Sequence, residues 1–194
     1  MPVLSFLLYV FITSFTPGPN NLMAMLSANK YGFKGTLKFC LGVGAGFFVI
    51  ILCSSYFNLM LKNFIPKIQF FMSIFGAVYM LYLAYKILRS NQKGESEGER
   101  NKNGFISGMI LQFINPKGIL YGITVVGTFI LPFYHSVLSF ILFAVFLGFV
   151  GFVSTMCWST FGSLFQRFLN KYRMAFNVVM SLLLLYSAVS IFIH

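Results

Sequence analysis

The sequence contains no aspartate, and its three glutamates fall together at Glu95, Glu97 and Glu99. No apolar stretch therefore carries a carboxylate, and no proton relay through a buried acid is visible. Histidine is limited to His135 and His194, both at the ends of apolar runs. An intramembrane enzyme needs a base, nucleophile or metal cluster at depth, and these absences argue against one, so no catalytic residue and no metal ligand is expected. Cysteine is equally scarce. Cys40, Cys53 and Cys157 are odd in number and lack metal-type spacing, so neither a disulfide framework nor a zinc site is expected. They read as small hydrophobic side chains inside spans. No Lys or Arg precedes Lys30, so the basic start of a cleaved signal peptide is missing, and Met1 onward reads as the first mature span. There is no nucleotide-binding motif, and no cofactor is expected.

What is present is apolar. Of 194 residues, 58% are hydrophobic and only 9% charged, against roughly a quarter charged in soluble domains. The mean hydropathy is +0.85. These values predict an all-α integral membrane protein partnered by the lipid bilayer. The length accommodates about six spans of roughly 20 residues and leaves no room for a soluble domain. The net charge of +11 would suggest nucleic acid in a soluble protein. Here the basic residues lie beside apolar spans and lack the interleaved aromatics of a nucleic-acid groove, so no nucleic-acid partner is expected.

The chain is organised around Thr16-Pro17-Gly18-Pro19-Asn20-Asn21, which interrupts an apolar run. Proline removes a backbone donor and pushes the preceding residue out of helical geometry. Backbone groups freed at membrane depth persist only where protein or a wet cavity surrounds them. A second break, Ile114-Asn115-Pro116-Lys117-Gly118, occupies the matching place in the second half. Paired breaks of this kind point to a transporter binding site.

Six spans are expected. The first runs from about 3 to 28, broken at 17–19, and is followed by a basic turn at 29–35. The second covers 36–61, with Gly42, Gly44 and Gly46 read as close-packing positions. A short turn containing Pro66 leads to the third, 68–88, whose Tyr82 and Tyr85 are expected in an interfacial aromatic belt. The fourth begins at Gly104 and is broken at Asn115-Pro116. A turn at 131–135 precedes the fifth, 136–164, and a basic loop at 166–173 precedes the sixth, 174–193. The polar stretch of about 90–103 reads as a cytoplasmic linker between repeat one (about 1–90) and repeat two (about 104–194) of a single transmembrane domain. Three spans per half force the halves into opposite orientation, giving two inverted three-helix repeats, each with its first helix broken at proline.

Charge orients the bundle. The loops after spans one, three and five carry Lys30, Lys34, Lys38, Lys86, Arg89, Lys93, Arg100, Lys102, Arg167, Lys171 and Arg173. The opposite side has only Lys62 and Lys67. The bias places the first set in the cytoplasm and both termini outside.

The candidate binding residues are Pro17, Gly18, Pro19, Asn20, Asn21, Asn115, Pro116 and Lys117. Lys117 is the one basic residue away from a span end. It reads either as a cation beside a substrate path or as a lysine that caps the break. The half-helices that restart near Asn20 and Lys117 present free N–H groups and the positive dipole end, which suit a carboxylate. The asparagines can satisfy freed backbone groups, and their amides can accept from an ammonium group. In Cys157-Trp158-Ser159-Thr160 the hydroxyls are expected to bond back to their own helix.

"TPGPNN", the "GF" turn after it, the span-two glycines, "QFINPKGILYG" and the three-plus-three plan resemble the lysine-exporter-like (LysE/RhtB) family of amino-acid efflux permeases over essentially the whole chain. "GAVYMLYLAYKI", "TFILP", "CWSTFGSLFQRFLNKY" and "LLLLYSAVSIF" narrow the resemblance to its bacterial cysteine/O-acetylserine-exporting branch. The resemblance implies secondary export of small neutral amino acids across the bacterial inner membrane by alternating access. Homoserine, threonine or basic amino acids are the alternative cargoes, and a membrane scaffold or intramembrane enzyme a more distant reading. A homo-oligomer is left open. Many family members carry an acid where Asn20 stands. A carboxylate proton carrier therefore does not transfer to this sequence.

Overall fold

The computed structural model describes residues 1–60, 65–89, 104–165, 168 and 171–193. All regular structure among them is helical: α1 (Val3–Phe15), α2 (Pro19–Met60), α3 (Ile65–Arg89), α4 (Phe105–Ile114), α5 (Pro116–Val125), α6 (Val137–Leu164) and α7 (Arg173–Ile193). The end of α5 loosens into a π-helical turn, Val126–Ile130, closed by Leu131 N–H donating to the Val126 carbonyl at 2.9 Å. The expected linker at 90–103 lies outside the described residues.

Both expected breaks are present. Thr16 leaves α1 with an extended ψ of 151°, and Asn115 leaves α4 with a ψ of 103°. The residue before a proline is disfavoured in the helical region, and Thr16 and Asn115 both precede one. Pro19 and Pro116 open the helices that follow, where a missing N–H costs nothing. Helices α4 and α5 meet at 69°.

The structure corrects the sequence reading at several loops. Residues 29–35 are helical apart from Gly32, whose φ of +75° is the left-handed value that glycine accepts. A straight helix of 42 residues would be about 63 Å long, twice a bilayer core, so this kink divides α2. Helix α3 begins at Ile65, so Pro66 lies in its first turn rather than in a loop. Cys53 and Cys157 are exposed on the helix surface, and only Cys40 is buried.

Three helices, reaching Tyr56, Arg89 and Leu164, are long and apolar enough to cross a membrane, and the bent α4–α5 pair makes a fourth. Helix α1, at 13 residues, is about 20 Å long and falls short alone. The outward faces are apolar: Leu4, Phe71, Val78, Leu142, Phe149 and Leu182 are all more than half exposed. Tyr82 and Tyr85 also face outward, and the Tyr85 hydroxyl accepts from Arg89 at 2.6 Å. The chain is a membrane protein.

Glycines set the helix crossings. A Cβ on Gly42 would strike the Phe105 carbonyl, and one on Gly108 the Phe39 carbonyl, so α2 and α4 touch backbone to backbone. Gly44 and Gly148 do the same for α2 and α6, each meeting the other's carbonyl oxygen at 3.1 Å. Gly162 brings α6 onto Met25. In lipid such contact, not the hydrophobic effect, holds helices together. One core joins α1, α2, α5 and α6 around Phe6, Phe47, Ile51, Tyr121 and Leu147, and a second joins the start of α2 to α3 and α7 around Leu22, Met25, Met80 and Leu184.

Candidate functional site

The two breaks meet. A small cavity opens between them, lined by Asn20 and Asn21 from α2, Asn115 between α4 and α5, and Lys117 from α5. Thr13 and Ser14 of α1, Gln112 of α4, Tyr121 of α5, and Ser154 and Thr155 of α6 complete its polar surface. Phe47 and Val43 form the apolar wall, the Phe47 ring lying 4.9 Å from that of Tyr121. Pro17, Gly18, Pro19 and Pro116 are not in the wall. Pro17 and Gly18 lie in the break between α1 and α2, Pro19 opens α2, and Pro116 opens α5.

The end of α1 explains most of the polar contacts. The last carbonyls of a helix have no intrahelical partner, and Pro17 and Pro19 have no N–H to offer. Donors from four other elements fill the gap. The Ser14 carbonyl accepts from Asn21 Nδ2 at 2.9 Å and Ser154 Oγ at 2.7 Å. The Phe15 carbonyl accepts from Trp158 Nε1 at 3.2 Å. The Thr16 carbonyl accepts from Asn21 Nδ2 at 3.0 Å and Lys117 Nζ at 3.1 Å. The Pro17 carbonyl accepts from Lys117 Nζ at 3.1 Å and Ser187 Oγ at 3.0 Å.

Lys117 adds a third bond, to Thr16 Oγ1 at 2.8 Å. Its three N–H groups therefore meet three oxygens at the negative end of the α1 dipole, where a cation is stabilised. Of the two sequence readings of Lys117, capping of the break is visible directly, and the same ammonium lies at the cavity wall. Gly18 is needed beneath it: a Cβ there would lie 3.0 Å from Lys117 Cδ and 3.3 Å from Nζ.

The second break is tied back reciprocally. Lys117, next to the proline that opens α5, reaches the end of α1, while Asn20, next to the proline that opens α2, donates through Nδ2 to Gln112 Oε1 of α4. Gln112 in turn lies against Gly118, whose Cβ position its Nε2 would occupy. The first-turn N–H groups of α2 and α5 have no acceptor within their own helices and lie beside the cavity.

Sequence reasoning brought Asn20, Asn21, Asn115 and Lys117 to this place and missed Gln112, Tyr121, Ser154 and Trp158. Thr160 bonds back to its own helix as expected, at 2.8 Å, whereas Ser159 Oγ, expected to do the same, makes no such bond; Thr155, outside that expectation, bonds back at 3.0 Å. Ser154 does not, because α1 ends opposite it. A polar Gln three residues before the break was the one available signal for Gln112.

Residues 11–194 match the family model of the LysE type translocator. The chain is 36% identical to the cysteine/O-acetylserine efflux protein of Escherichia coli strain K12 over 188 residues, 97% of this chain and 96% of the relative. The proteins of that name from Escherichia coli O139:H28 and Shigella flexneri serotype 5b show the same identity and coverage. No solved structure matches.

Proposed function

Because the chain belongs to the LysE translocator family, we propose that it is a secondary transporter, not an enzyme, that exports small neutral amino acids such as cysteine and O-acetylserine. The carrying observation is the cavity at two proline-broken helices with amides, hydroxyls and one ammonium in its wall. A zwitterion leaving water needs partners for both charges. The first-turn N–H groups of α2 and α5 suit its carboxylate, with the Lys117 charge close by and Asn20, Asn21 and Asn115 shaping the pocket. A basic cargo would want an acid in the wall, and the lining residues include none.

In this reading α1 and the part of α2 before Gly32 form one broken span. The rest of α2, α3, the α4–α5 pair, α6 and α7 make up six, arranged as two inverted repeats in the bacterial inner membrane. The reciprocal reach of Lys117 and Asn20 across the breaks supports that relation. Alternating access then rocks one repeat against the other around the cavity.

Two measurements test this. Proteoliposomes preloaded with unlabelled cysteine under reducing conditions should accumulate labelled cysteine and O-acetylserine by counterflow, and much less labelled lysine. No counterflow with any neutral amino acid would reject the reading. For orientation, single cysteines at the exposed positions Lys34 and His135, in a background without Cys40, Cys53 and Cys157, are compared in intact cells. The charge bias predicts that an impermeant maleimide labels H135C and reaches K34C only after permeabilisation. The reverse pattern inverts the topology.

A further inference from the structure

We propose that the side-chain amide oxygens of Asn20 and Asn115, one from each break, bind the α-ammonium group of the transported molecule. This deepens the export reading and rests on its cavity. Asn20 is 6% exposed and Asn115 5%, and both line the cavity. Each presents an Oδ1 that accepts no hydrogen bond. A buried amide oxygen without a donor is costly, and two in one small cavity mark a place where a donor-rich group belongs.

Three nearby side-chain donors are committed elsewhere. Lys117 is held by Thr16 and Pro17, Asn21 Nδ2 by Ser14 and Thr16, and Asn20 Nδ2 by Gln112. What the wall offers at these two positions is acceptance. A primary ammonium has three donors, no acceptor and a positive charge, and matches that demand. Gln112, itself 3% exposed, is the positioning residue. By accepting from Asn20 Nδ2 it fixes which way the amide is turned and leaves Oδ1 without a donor. The arrangement also suits a chain without a buried acid: neutral oxygens hold an ammonium less tightly than a carboxylate would, and an exporter must release its cargo.

The test uses the purified full-length protein and three probes: cysteine, 3-mercaptopropionate (cysteine without its amino group) and cysteamine (cysteine without its carboxylate). Affinity is read from ligand-dependent thermal stabilisation. Wild-type protein should bind 3-mercaptopropionate about tenfold or more weakly than cysteine. Asn115→Leu should weaken cysteine and cysteamine by about tenfold or more and leave 3-mercaptopropionate within about twofold. Asn115→Asp keeps an oxygen there and should hold cysteamine at least as tightly as wild type, which guards against a folding defect. Equal binding of cysteine and cysteamine by wild type and Asn115→Leu would overturn the assignment, as would equal binding of cysteine and 3-mercaptopropionate by wild type. Cysteine counterflow that survives Asn115→Leu unchanged sinks the ammonium site but not the export reading. Asn115-dependent cysteamine binding without cysteine counterflow does the opposite.

Discussion

Lys117→Met protein should reach the membrane, stay monodisperse in mild detergent and export its cargo at least about tenfold more slowly than wild type. Methionine keeps the apolar stem that runs over Gly18 and removes the ammonium. The fold should survive because no acceptor at the end of α1 depends on Lys117 alone. The Thr16 carbonyl keeps Asn21 Nδ2, the Pro17 carbonyl keeps Ser187, and Thr16 Oγ1 still donates to the Thr13 carbonyl at 3.1 Å. The stability loss is then that of one charged group's hydrogen bonds, about 1.5–3 kcal/mol, rather than that of orphaned carbonyls. Transport has no such reserve, since Lys117 is the one charged side chain among the described residues of the cavity wall. Lys117→Arg keeps the charge but carries a planar fork into a space shaped for a tetrahedral head, and partial activity is expected. Export by Lys117→Met equal to wild type at matched protein levels would reduce Lys117 to a structural cap. The pocket would then rest on the helix N-termini and amides.

The second large effect is structural. Gly108→Val should abolish the folded protein, read as aggregation on size exclusion and loss of a cooperative thermal transition. Its Cβ would overlap the Phe39 carbonyl, a backbone atom that no rotamer change can move. Helices α2 and α4 would have to separate, and Gln112, one turn along from Gly108, would be drawn away from Asn20. Overpacking costs of about 1–3 kcal/mol apply where side chains can adjust, and a backbone clash exceeds them. Gly151→Ala is the control: its Cβ would meet only the Phe47 ring at 3.3 Å, which can turn aside, so a stability change below about 1 kcal/mol is expected. A folded, cooperative Gly108→Val protein would show that the α2–α4 crossing is looser than its geometry implies.

Features that depend on local chemistry were legible in the chain alone. Composition placed the chain in a membrane, because 9% charge and long apolar runs admit no other solvent. Proline chemistry located both breaks, since the residue before a proline, here Thr16 and Asn115, is disfavoured in the helical region. The motifs around those breaks carried the family. Loop boundaries were less legible: Gly32 alone interrupts α2 where a seven-residue turn was expected, because one left-handed glycine suffices to redirect a helix.

How the breaks are used depends on packing across the whole bundle. Nothing near Lys117 in the chain says that its three hydrogens go to Thr16 and Pro17, about a hundred residues earlier. Nothing in Ser154, Trp158 or Ser187 announces that each supports one end of α1, or in Gln112 that it orients Asn20. Those pairings follow from where glycine lets one helix backbone rest on another. That depends on the register of α2 against α4 and α6, which emerges only when the whole bundle packs. A proline break states that backbone groups are freed, whereas the donors that satisfy them are chosen by the helices that surround it.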